Sequence, residues 1–280
     1  MEKQVNLLYC GDENIEKGLI ISIISIVKHY KGKLNIIVLT ASLETVHRRY
    51  NTVNEDTIKV LDFYIKQVNP ESSIKLIDVS ANFDKFIPES NLDTRFTPMC
   101  MLRLFADQID DMPDKILYLD NDTIADKDVS ELFDEDVEDY EFAGVLDHYG
   151  SWFFRDKVTR RDYLNSGVLL FNMKKVKETG LFEQCREKCR NQRMFMPDQT
   201  ALNKLATAKK SLPRKYNEQK KNRKDTVIRH FTTGFRFFPW VRTITVKPWD
   251  IKRMHKVLKL YKYDGILKEY RAMYKSIKKL

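Results

Sequence analysis

Two carboxylates one residue apart, Asp120 and Asp122, are the side chains of this sequence most suited to chemistry. They follow residues 116–119, an apolar run typical of a buried strand. Side chains two apart in an extended chain point the same way, so both carboxylates can converge on one cation. A hard divalent ion would relieve their repulsion and leave positions open for a diphosphate. Asp-Asn-Asp is also ordinary turn chemistry, so the pair alone fits either a metal site or a plain turn.

Further polar residues fall where other predicted strands and helices end or begin. Ligands of open α/β sheets bind beyond the carboxyl ends of the strands, so we expect these residues to share one rim with Asp120. Taken singly, Asp198 fits a helix N-cap and His230 fits a structural histidine. The set comprises Cys10, Gly11, Asp12, Asn14, Asp147, Asn165, Ser166, Gly167, Asp198, Gln199 and His230.

The elements that must position these residues alternate between strand and helix. Such spacing predicts a mostly parallel, twisted sheet covered by helices on both faces. The polar, basic segment 209–225 is predicted to be a mobile surface loop. Predicted strands cover residues 5–9, 34–39, 74–79, 116–119, 142–146, 168–171 and 227–230. Predicted helices cover residues 19–27, a polar region from 42 that breaks near 54, 99–107, 173–191 and a segment that begins at 197.

Composition limits the classes of protein to consider. The chain has 280 residues, 42% of them hydrophobic, which is enough for one large core with or without an appendage. No apolar run reaches the length of a membrane span, and the first residues read as a strand rather than a signal peptide. Four scattered cysteines predict no disulfide framework and no zinc site. The simplest expected location is the reducing cytoplasm.

The net charge of +9 is concentrated in the last 29 residues. Residues 252–280 contain ten Lys or Arg and two acids, so this tail carries +8 and residues 1–251 carry only +1. A near-neutral body without zinc-finger spacing or an RNA-binding aromatic motif argues against a nucleic-acid partner. We therefore predict a catalytic domain over 1–251 and a basic helical tail over 252–280.

Apolar residues recur in the tail at steps of three and four, flanked by lysines, and Asp264-Gly265 is predicted to divide it into two helices. This pattern fits a helix lying on an anionic membrane, which would place the protein peripherally on the inner face of the cell membrane. It fits equally a stripe that packs back on the body. The stripe comprises Met254, Val257, Leu258, Tyr261, Ile266, Leu267, Tyr270, Tyr274 and Ile277.

The order of motifs over residues 5 to 250 resembles glycosyltransferase family 8. The motifs are YCGDEN near the start, MLRL at 101–104, LYLDNDT at 117–123, GVLD at 144–147, YLNSGVLLFNMKK at 163–175, PDQ at 197–199 and HF at 230–231. The resemblance implies a GT-A fold of Rossmann-like type and a retaining transferase that uses a UDP-sugar. It implies transfer of a hexose, glucose or galactose, to a saccharide, a lipid-linked glycan or another cell-envelope glycan.

Roles for individual residues follow from the same resemblance. Cys10, Asp12 and Asn14 would hold uridine, with Gly11 allowing close approach. Asp120, Asp122 and His230 would bind Mn²⁺, with Mg²⁺ as the alternative. Gln199, Asp198 and Asp147 would form the catalytic centre, with Asp147 close to the acceptor. The remaining residues would line the binding site of the sugar-nucleotide donor: Arg103, Asn121, Asn165, Ser166, Gly167, Gly234 and Lys247.

The sequence departs from the family pattern at three places. Ile15 stands where an aromatic residue could stack on uracil, and Met101 replaces a tyrosine. The phosphate-binding lysine of the family's last motif corresponds either to Arg236 or to Lys247, and we favour Lys247 because Lys-Pro-Trp is intact there.

A different enzyme class also matches the carboxylate pair. Haloacid-dehalogenase phosphatases carry a strand followed by a DxDx[TV] motif, and Asp120 to Ile124 is close to it. That fold normally has the motif on its first strand and needs a later acidic cluster that this sequence does not supply. The transferase is the favoured hypothesis.

For the transferase, the amide of Gln199 is a poor nucleophile. We therefore expect front-face attack by the acceptor hydroxyl, with a cation such as Arg103 near the developing charge.

Overall fold

The computed structural model describes residues 3–92, 94, 97–148, 162–236, 240 and 242–279. Seven strands form the central sheet, and six short strands form three two-stranded ribbons. The strands are β1 Gln4–Cys10, β2 Lys33–Thr40, β3 Leu43–Glu44, β4 Arg49–Tyr50, β5 Ser73–Asp78, β6 Lys115–Leu119, β7 Thr123–Ala125, β8 Phe142–Leu146, β9 Leu164–Asn172, β10 Lys209–Leu212, β11 Ile228–His230, β12 Gly234–Arg236 and β13 Arg242–Ile244.

Strand order in the central sheet is β10-β8-β9-β6-β1-β2-β5. The pairs β1 with β2, β1 with β6, β2 with β5 and β8 with β10 are parallel. Only β9 runs antiparallel to its neighbours, β6 and β8. The predicted mostly parallel α/β sheet is confirmed.

Helices cover both faces of this sheet. The α-helices are α1 Glu16–His29, α2 Glu55–Lys66, α3 Ser80–Lys85, α4 Ser130–Phe133, α5 Met173–Thr179, α6 Leu181–Asn191, α7 Pro197–Leu205, α8 Ile251–Leu258 and α9 Asp264–Ile277. Short or irregular 3₁₀ segments are Glu13–Ile15, Glu89–Asn91, Pro98–Gln108 and Arg214–Tyr216. None of these described helices is both long and apolar enough to cross a membrane.

The sheet separates two hydrophobic cores. One contains α1, α2 and the tail, and the other contains the 3₁₀ segment Pro98–Gln108 with α3, α5, α6 and α7. Helix α1 is apolar on most of its surface, as expected for a helix buried between the sheet and another layer. That layer is the tail, because Leu267 and Tyr270 of α9 belong to the same core as α1.

The apolar stripe of the tail thus packs on the body, the alternative to membrane contact. Met254, Ile266 and Ile277 are buried, whereas Val257 and Tyr261 remain exposed. The division between the two tail helices also differs from the prediction. Helix α8 ends at Leu258, where Lys259 adopts a left-handed conformation, and α9 begins at Asp264 itself.

Two segments differ more strongly from their predicted structure. Residues 42–53 were expected to be helical, but they form the β3–β4 hairpin, whose turn is closed by Thr45 bonding the backbone of Arg48. The predicted mobile loop 209–225 instead begins with edge strand β10 and continues into the buried residue Asn217. Pairing with distant strands, which local composition does not reveal, orders this segment.

Other boundaries shift for local reasons. The predicted helix 173–191 is broken at Gly180, whose φ of 65° suits glycine, so α5 ends and α6 begins there. Strand β9 begins at Leu164, four residues before the predicted start, and segment Pro98–Gln108 is 3₁₀ rather than α-helical. Asp198 lies in the first turn of α7, and the N-cap position belongs to Met196.

Candidate active site

The sheet topology brings the predicted residues to one rim. Strands β1 and β6 are adjacent and parallel, but β1 connects onward toward one edge of the sheet and β6 toward the other. Such a switch point leaves a crevice beyond the carboxyl ends of both strands, next to Cys10 and Asp120. Because β9 is antiparallel, its first residues reach the same rim, and Asp147 N donates to Tyr163 O there at 2.8 Å.

Asp120, Asp122 and His230 form a compact group at this crevice. His230 Nε2 lies 3.2 Å from Asp122 Oδ1 and 3.5 Å from Asp120 Oδ2. Pairing of β7 with β11 places His230 opposite Thr123, and Phe231 N donates to Asp122 O at 2.9 Å. The turn expected at Asp-Asn-Asp is present as well, since Thr123 Oγ1 donates to Asp120 O at 2.8 Å.

Gly167 makes room for this group. Its backbone is next to the carboxylates, with Asp120 N donating to Gly167 O at 2.8 Å. A Cβ at position 167 would lie 2.1 Å from His230 Cε1 and 2.7 Å from Asp120 Oδ2. Any side chain here would push the imidazole and the carboxylate apart, so the position requires glycine.

Lys247 forms an ion pair with Asp122. Burial alone would raise the pKa of the Asp122 carboxyl, but Lys247 and His230 together hold that pKa well below its usual value. Asp122 is therefore a carboxylate that already attracts cations in its buried position. The side chain of Arg236, the other candidate for the phosphate contact, lies outside the part of the chain that the structure describes.

Arg103 lies in the cleft wall and is held there by protein groups. Its Nη2 lies 3.2 Å from Asp120 Oδ1 and 3.3 Å from Asp198 Oδ2. Its Nε donates to Cys100 O at 3.0 Å, Nη1 donates to Ser166 O, and the guanidinium stacks 3.9 Å from the Tyr118 ring centroid. The guanidinium thus fixes the two acids, and Lys247 is the more exposed cation.

A second polar cluster surrounds Gln199 at the start of α7. Its Oε1 accepts from Ser166 N at 2.9 Å, and its Nε2 donates to Asp147 Oδ2 at 3.0 Å. Asn165 Nδ2 donates to the same Asp147 oxygen at 2.9 Å. Both polar atoms of the Gln199 amide are thereby oriented, and Asp147 is positioned by two amides.

The β1 end of the cleft has fewer polar contacts. Asp12 Oδ2 accepts from Asn14 Nδ2 at 2.8 Å, and Asp12 Oδ1 accepts from Asn14 N at 3.2 Å. Burial raises the pKa of Asp12 and, more strongly, that of the Cys10 thiol. Ile15 adds an apolar wall, so this end suits a flat, weakly polar group such as a base.

One cleft of about 290 Å³ joins these parts, close to the lower size limit of about 300 Å³ for small-molecule sites. Three predicted residues are not in its lining: Asn14 is exposed beside Asp12, Gly167 lies behind His230, and Gly234 lines a separate cavity. The other predicted residues all line it, namely Cys10, Gly11, Asp12, Arg103, Asp120, Asn121, Asp122, Asp147, Asn165, Ser166, Asp198, Gln199, His230 and Lys247.

Comparison with known families places the chain in a class of enzymes. The sequence model described as "Glycosyl transferase family 8" matches residues 6–252, most of the chain. The chain belongs to glycosyl transferase family 8. This assignment gives no support to the phosphatase alternative, and Asp120 also follows the fourth strand of the central sheet along the chain rather than the first.

Individual relatives agree with the family and the fold. A Haemophilus influenzae protein named "Putative glycosyltransferase" is 24% identical over 189 residues, covering 64% of this chain and 52% of that protein. The chain thus spans about half the length of the curated relative it matches. The galactosyltransferase LgtC, solved with donor and acceptor sugar analogs, superposes with a TM-score of 0.68 at 18% identity, covering 96% of both chains.

The bifunctional glycosyltransferase WbbM superposes with a TM-score of 0.71 at 18% identity, over 98% of this chain and 51% of its own. Because both identities are only 18%, these solved structures establish the fold alone, which is the GT-A fold.

Three side chains of the cleft form a set of ligands that fits a divalent metal ion. Asp120, Asp122 and His230 each present a ligand atom, all within 4.8 Å of one another. Two ligands about 2.1 Å from one ion and at right angles lie about 3.0 Å apart, close to the separations seen here. Two carboxylates with an imidazole are a borderline set that suits Mn²⁺ better than Ca²⁺.

Sequence reasoning does not identify two residues that hydrogen-bond to Asp120 and His230. Tyr118 donates its hydroxyl to Asp120 Oδ1 at 2.7 Å, and Asn217 lies 3.1 Å from Nδ1 of His230 through its Oδ1. In the sequence, Tyr118 belongs to an apolar strand and to the LYLDNDT motif, and neither pattern assigns it a contact with Asp120. Its position two residues before Asp120, on the same side of the strand, is the signal that could have identified it. Asn217 carries no such signal within its polar, basic segment.

Proposed function

We propose that this family 8 glycosyltransferase transfers a hexose, glucose or galactose, from a UDP-sugar to a saccharide or cell-envelope glycan. Anomeric configuration is retained and Mn²⁺ is the cofactor, with Mg²⁺ as the alternative. The observation that carries the proposal is one continuous cleft containing the Asp120–Asp122–His230 group and Lys247 at one wall and Asp147 with Gln199 at another. A sugar nucleotide needs both walls, because its diphosphate requires cations and its sugar requires polar side chains that orient it.

Departure of the nucleotide is the step in which charge develops. Breaking the bond between the anomeric carbon and the diphosphate oxygen leaves additional negative charge on that oxygen. Lys247 is partly exposed in the cleft and can exchange its contact with Asp122 for a phosphate oxygen. A divalent ion held by Asp120, Asp122 and His230 would neutralise the diphosphate.

Retention is best explained by attack on the same face from which the leaving group departs. The acceptor hydroxyl oxygen bonds to the anomeric carbon as the carbon–oxygen bond to phosphate breaks, and the hydroxyl proton passes to the departing phosphate oxygen. Gln199 is a neutral amide held by Ser166 and Asp147, so it orients the sugar instead of forming a covalent bond. Asp147 and Asp198 complete this part of the site, with Asp147 toward the acceptor.

The uridine would occupy the β1 end of the cleft. Asp12 and Asn14 can bond the base or ribose edges, and Cys10 and Gly11 permit close approach of the nucleotide to the backbone. Ile15 would contact the base face in place of an aromatic ring. Asn121, Asn165, Ser166 and Gly167 would contact or frame the donor sugar and diphosphate, and Gly234 would support the phosphate-binding segment.

The basic surface of the tail supports a proposal for where the enzyme acts and on which acceptor. Lysines and arginines remain on the exposed side of the tail helices after their apolar side packs on the body. This surface could hold the enzyme at the inner, anionic face of the cell membrane, next to a lipid-linked saccharide. No nucleic-acid partner is proposed, because the body itself is close to neutral.

A screen of nucleotide sugars tests the proposal. The purified chain is incubated with UDP-glucose, UDP-galactose and matched GDP- and ADP-sugars, with Mn²⁺, Mg²⁺ or EDTA, and release of free nucleotide is measured without acceptor. We expect hydrolysis of one UDP-hexose, dependent on the metal. Hydrolysis of simple phosphoesters without any need for a nucleotide sugar would contradict the proposal. NMR of the first-formed sugar product should show the anomeric configuration of the donor.

A further inference from the structure

Asn217 is a buried asparagine that touches the metal-binding group from behind. It follows the 3₁₀ segment Arg214–Tyr216 and is fully buried. Its Oδ1 lies 3.1 Å from Nδ1 of His230, and its Nδ2 donates to Asn165 Oδ1 at 2.9 Å. We propose that Asn217 is a positioning residue. It holds His230 in the tautomer that is protonated on Nδ1 and presents Nε2 to a divalent ion.

The direction of these hydrogen bonds is set by two groups with only one possible role. The Asp147 carboxylate only accepts, and it lies 2.9 Å from Asn165 Nδ2. The Gly167 backbone N–H only donates, and it lies 3.1 Å from Asn165 Oδ1. The amide of Asn165 therefore has one allowed orientation, with its oxygen toward Asn217. That oxygen requires a donor from Asn217, which can only be Nδ2.

Asn217 is then left with its own oxygen facing His230. An amide oxygen only accepts, so Nδ1 of His230 must carry a proton. The other ring nitrogen, Nε2, is the atom that faces Asp120 and Asp122. A metal-binding histidine whose second nitrogen donates to a fixed acceptor has its tautomer and ring orientation set in this way. The series of hydrogen bonds from Asp147 through Asn165 and Asn217 to His230 thus links the acceptor side of the cleft to the metal side.

Metal binding without any sugar nucleotide tests this role directly. The inference rests on the proposed metal site, so the readout is the dissociation constant of Mn²⁺ for the full-length chain, measured by electron paramagnetic resonance titration. Asn217→Ala removes the acceptor and frees the ring, and we expect the constant to rise about 10- to 100-fold. Asn217→Asp keeps an oxygen for the Nδ1 proton but loses the donor to Asn165 Oδ1, so we expect a smaller loss of affinity than in Asn217→Ala.

A matched control separates positioning from general loss of stability. Asn172 lies at the opposite end of β9, where it donates to the carbonyls of Val137 and Glu138 and caps α5 through Lys175 N. Asn172→Ala should lower the melting temperature and leave Mn²⁺ affinity unchanged. The melting temperature of each variant is measured alongside the titration.

The possible outcomes are distinct. A folded Asn217→Ala chain with wild-type Mn²⁺ affinity would overturn the inference, and so would equal losses in the Ala and Asp variants. If the Ala variant does not fold, ¹⁵N NMR of histidine in the wild type with Mg²⁺ decides: a proton on Nδ1 of His230 supports the inference, and a proton on Nε2 alone overturns it. Failure of the wild type to bind Mn²⁺ would instead overturn the proposed metal site itself.

Discussion

The candidate active-site cleft and the C-terminal tail are both rich in charge, but the cleft buries its charged groups and the tail exposes them. In the cleft, Asp122, Asp198 and His230 are 3–5% exposed and are surrounded by partners. In the tail, five of the nine apolar side chains of the stripe are buried and the lysines and arginines are exposed. Charges in a water-poor site interact several times more strongly than charges at the surface. Removing one charge from the cleft should therefore have a larger effect on the protein than removing one charge from the tail surface.

The largest effect is expected from Asp122→Asn. The substitution removes a carboxylate from the candidate metal-binding group, and with it the partner of Lys247. We expect turnover to fall about 10³-fold, equal to about 4 kcal/mol in the barrier, in a chain that still folds. Release of UDP at saturating donor, measured across a range of Mn²⁺ concentrations, checks this.

Asp128→Asn is the control for Asp122, because Asp128 is an exposed acid on the same stretch of chain. It should leave turnover unchanged. Near wild-type turnover in Asp122→Asn, or turnover by the wild type in EDTA, would show that the acid pair does not carry a metal.

The next effect concerns the buried side of the tail. Leu267 is 1% exposed and packs in the core that contains α1. Leu267→Ala leaves a cavity, so we expect the free energy of unfolding to fall by about 3 kcal/mol, measured by urea denaturation. Lys268→Ala, the exposed neighbour, should change it by less than about 0.5 kcal/mol. A separate low-stability transition would instead show that the tail folds apart from the body.

The third effect tests the role of Gln199. Gln199→Ala removes an amide that orients Asp147 and accepts from Ser166 N. If this amide only positions the sugar, we expect turnover to fall about 10²-fold, with retention of configuration preserved. The loss should be smaller than for Asp122→Asn. Detection of a glycosyl adduct on Gln199 by mass spectrometry of the intact protein would contradict front-face attack.

The cleft could be predicted largely because its residues follow local patterns. Apolar strands that end in polar residues place Cys10 and Asp120 at one rim, and the sheet topology follows from the alternation of strands and helices. Arg103 shows where this reasoning stops. The sequence indicates a cation near the acids, but only the packed structure shows that its donors already hold Asp120, Asp198 and backbone carbonyls.

Two other features depend on contacts between distant segments. Asn217 belongs to a polar stretch whose burial results from the pairing of β10 with β8 and of Glu218 with Arg229. The tail shows an apolar stripe in sequence, but a stripe does not specify what covers it. A membrane and helix α1 satisfy the same pattern, and only the folded chain shows that α1 does so.

The smallest effect is expected on the exposed side of the tail. Lys268, Arg271 and Lys275 are exposed at steps of three and four along α9, on the side away from the buried Ile266. If this face rests on an anionic membrane, each basic residue contributes about 1 kcal/mol, so Lys275→Gln should weaken binding to phosphatidylserine vesicles about fivefold. Lys177→Gln, on α5 across the sheet, serves as the control and should have no effect. Donor hydrolysis should be unchanged in both variants, and the difference between them should vanish at 1 M salt, where the screening length is about 3 Å. Equal vesicle binding by the two variants at low salt would show that the exposed charges do not form a membrane-binding face.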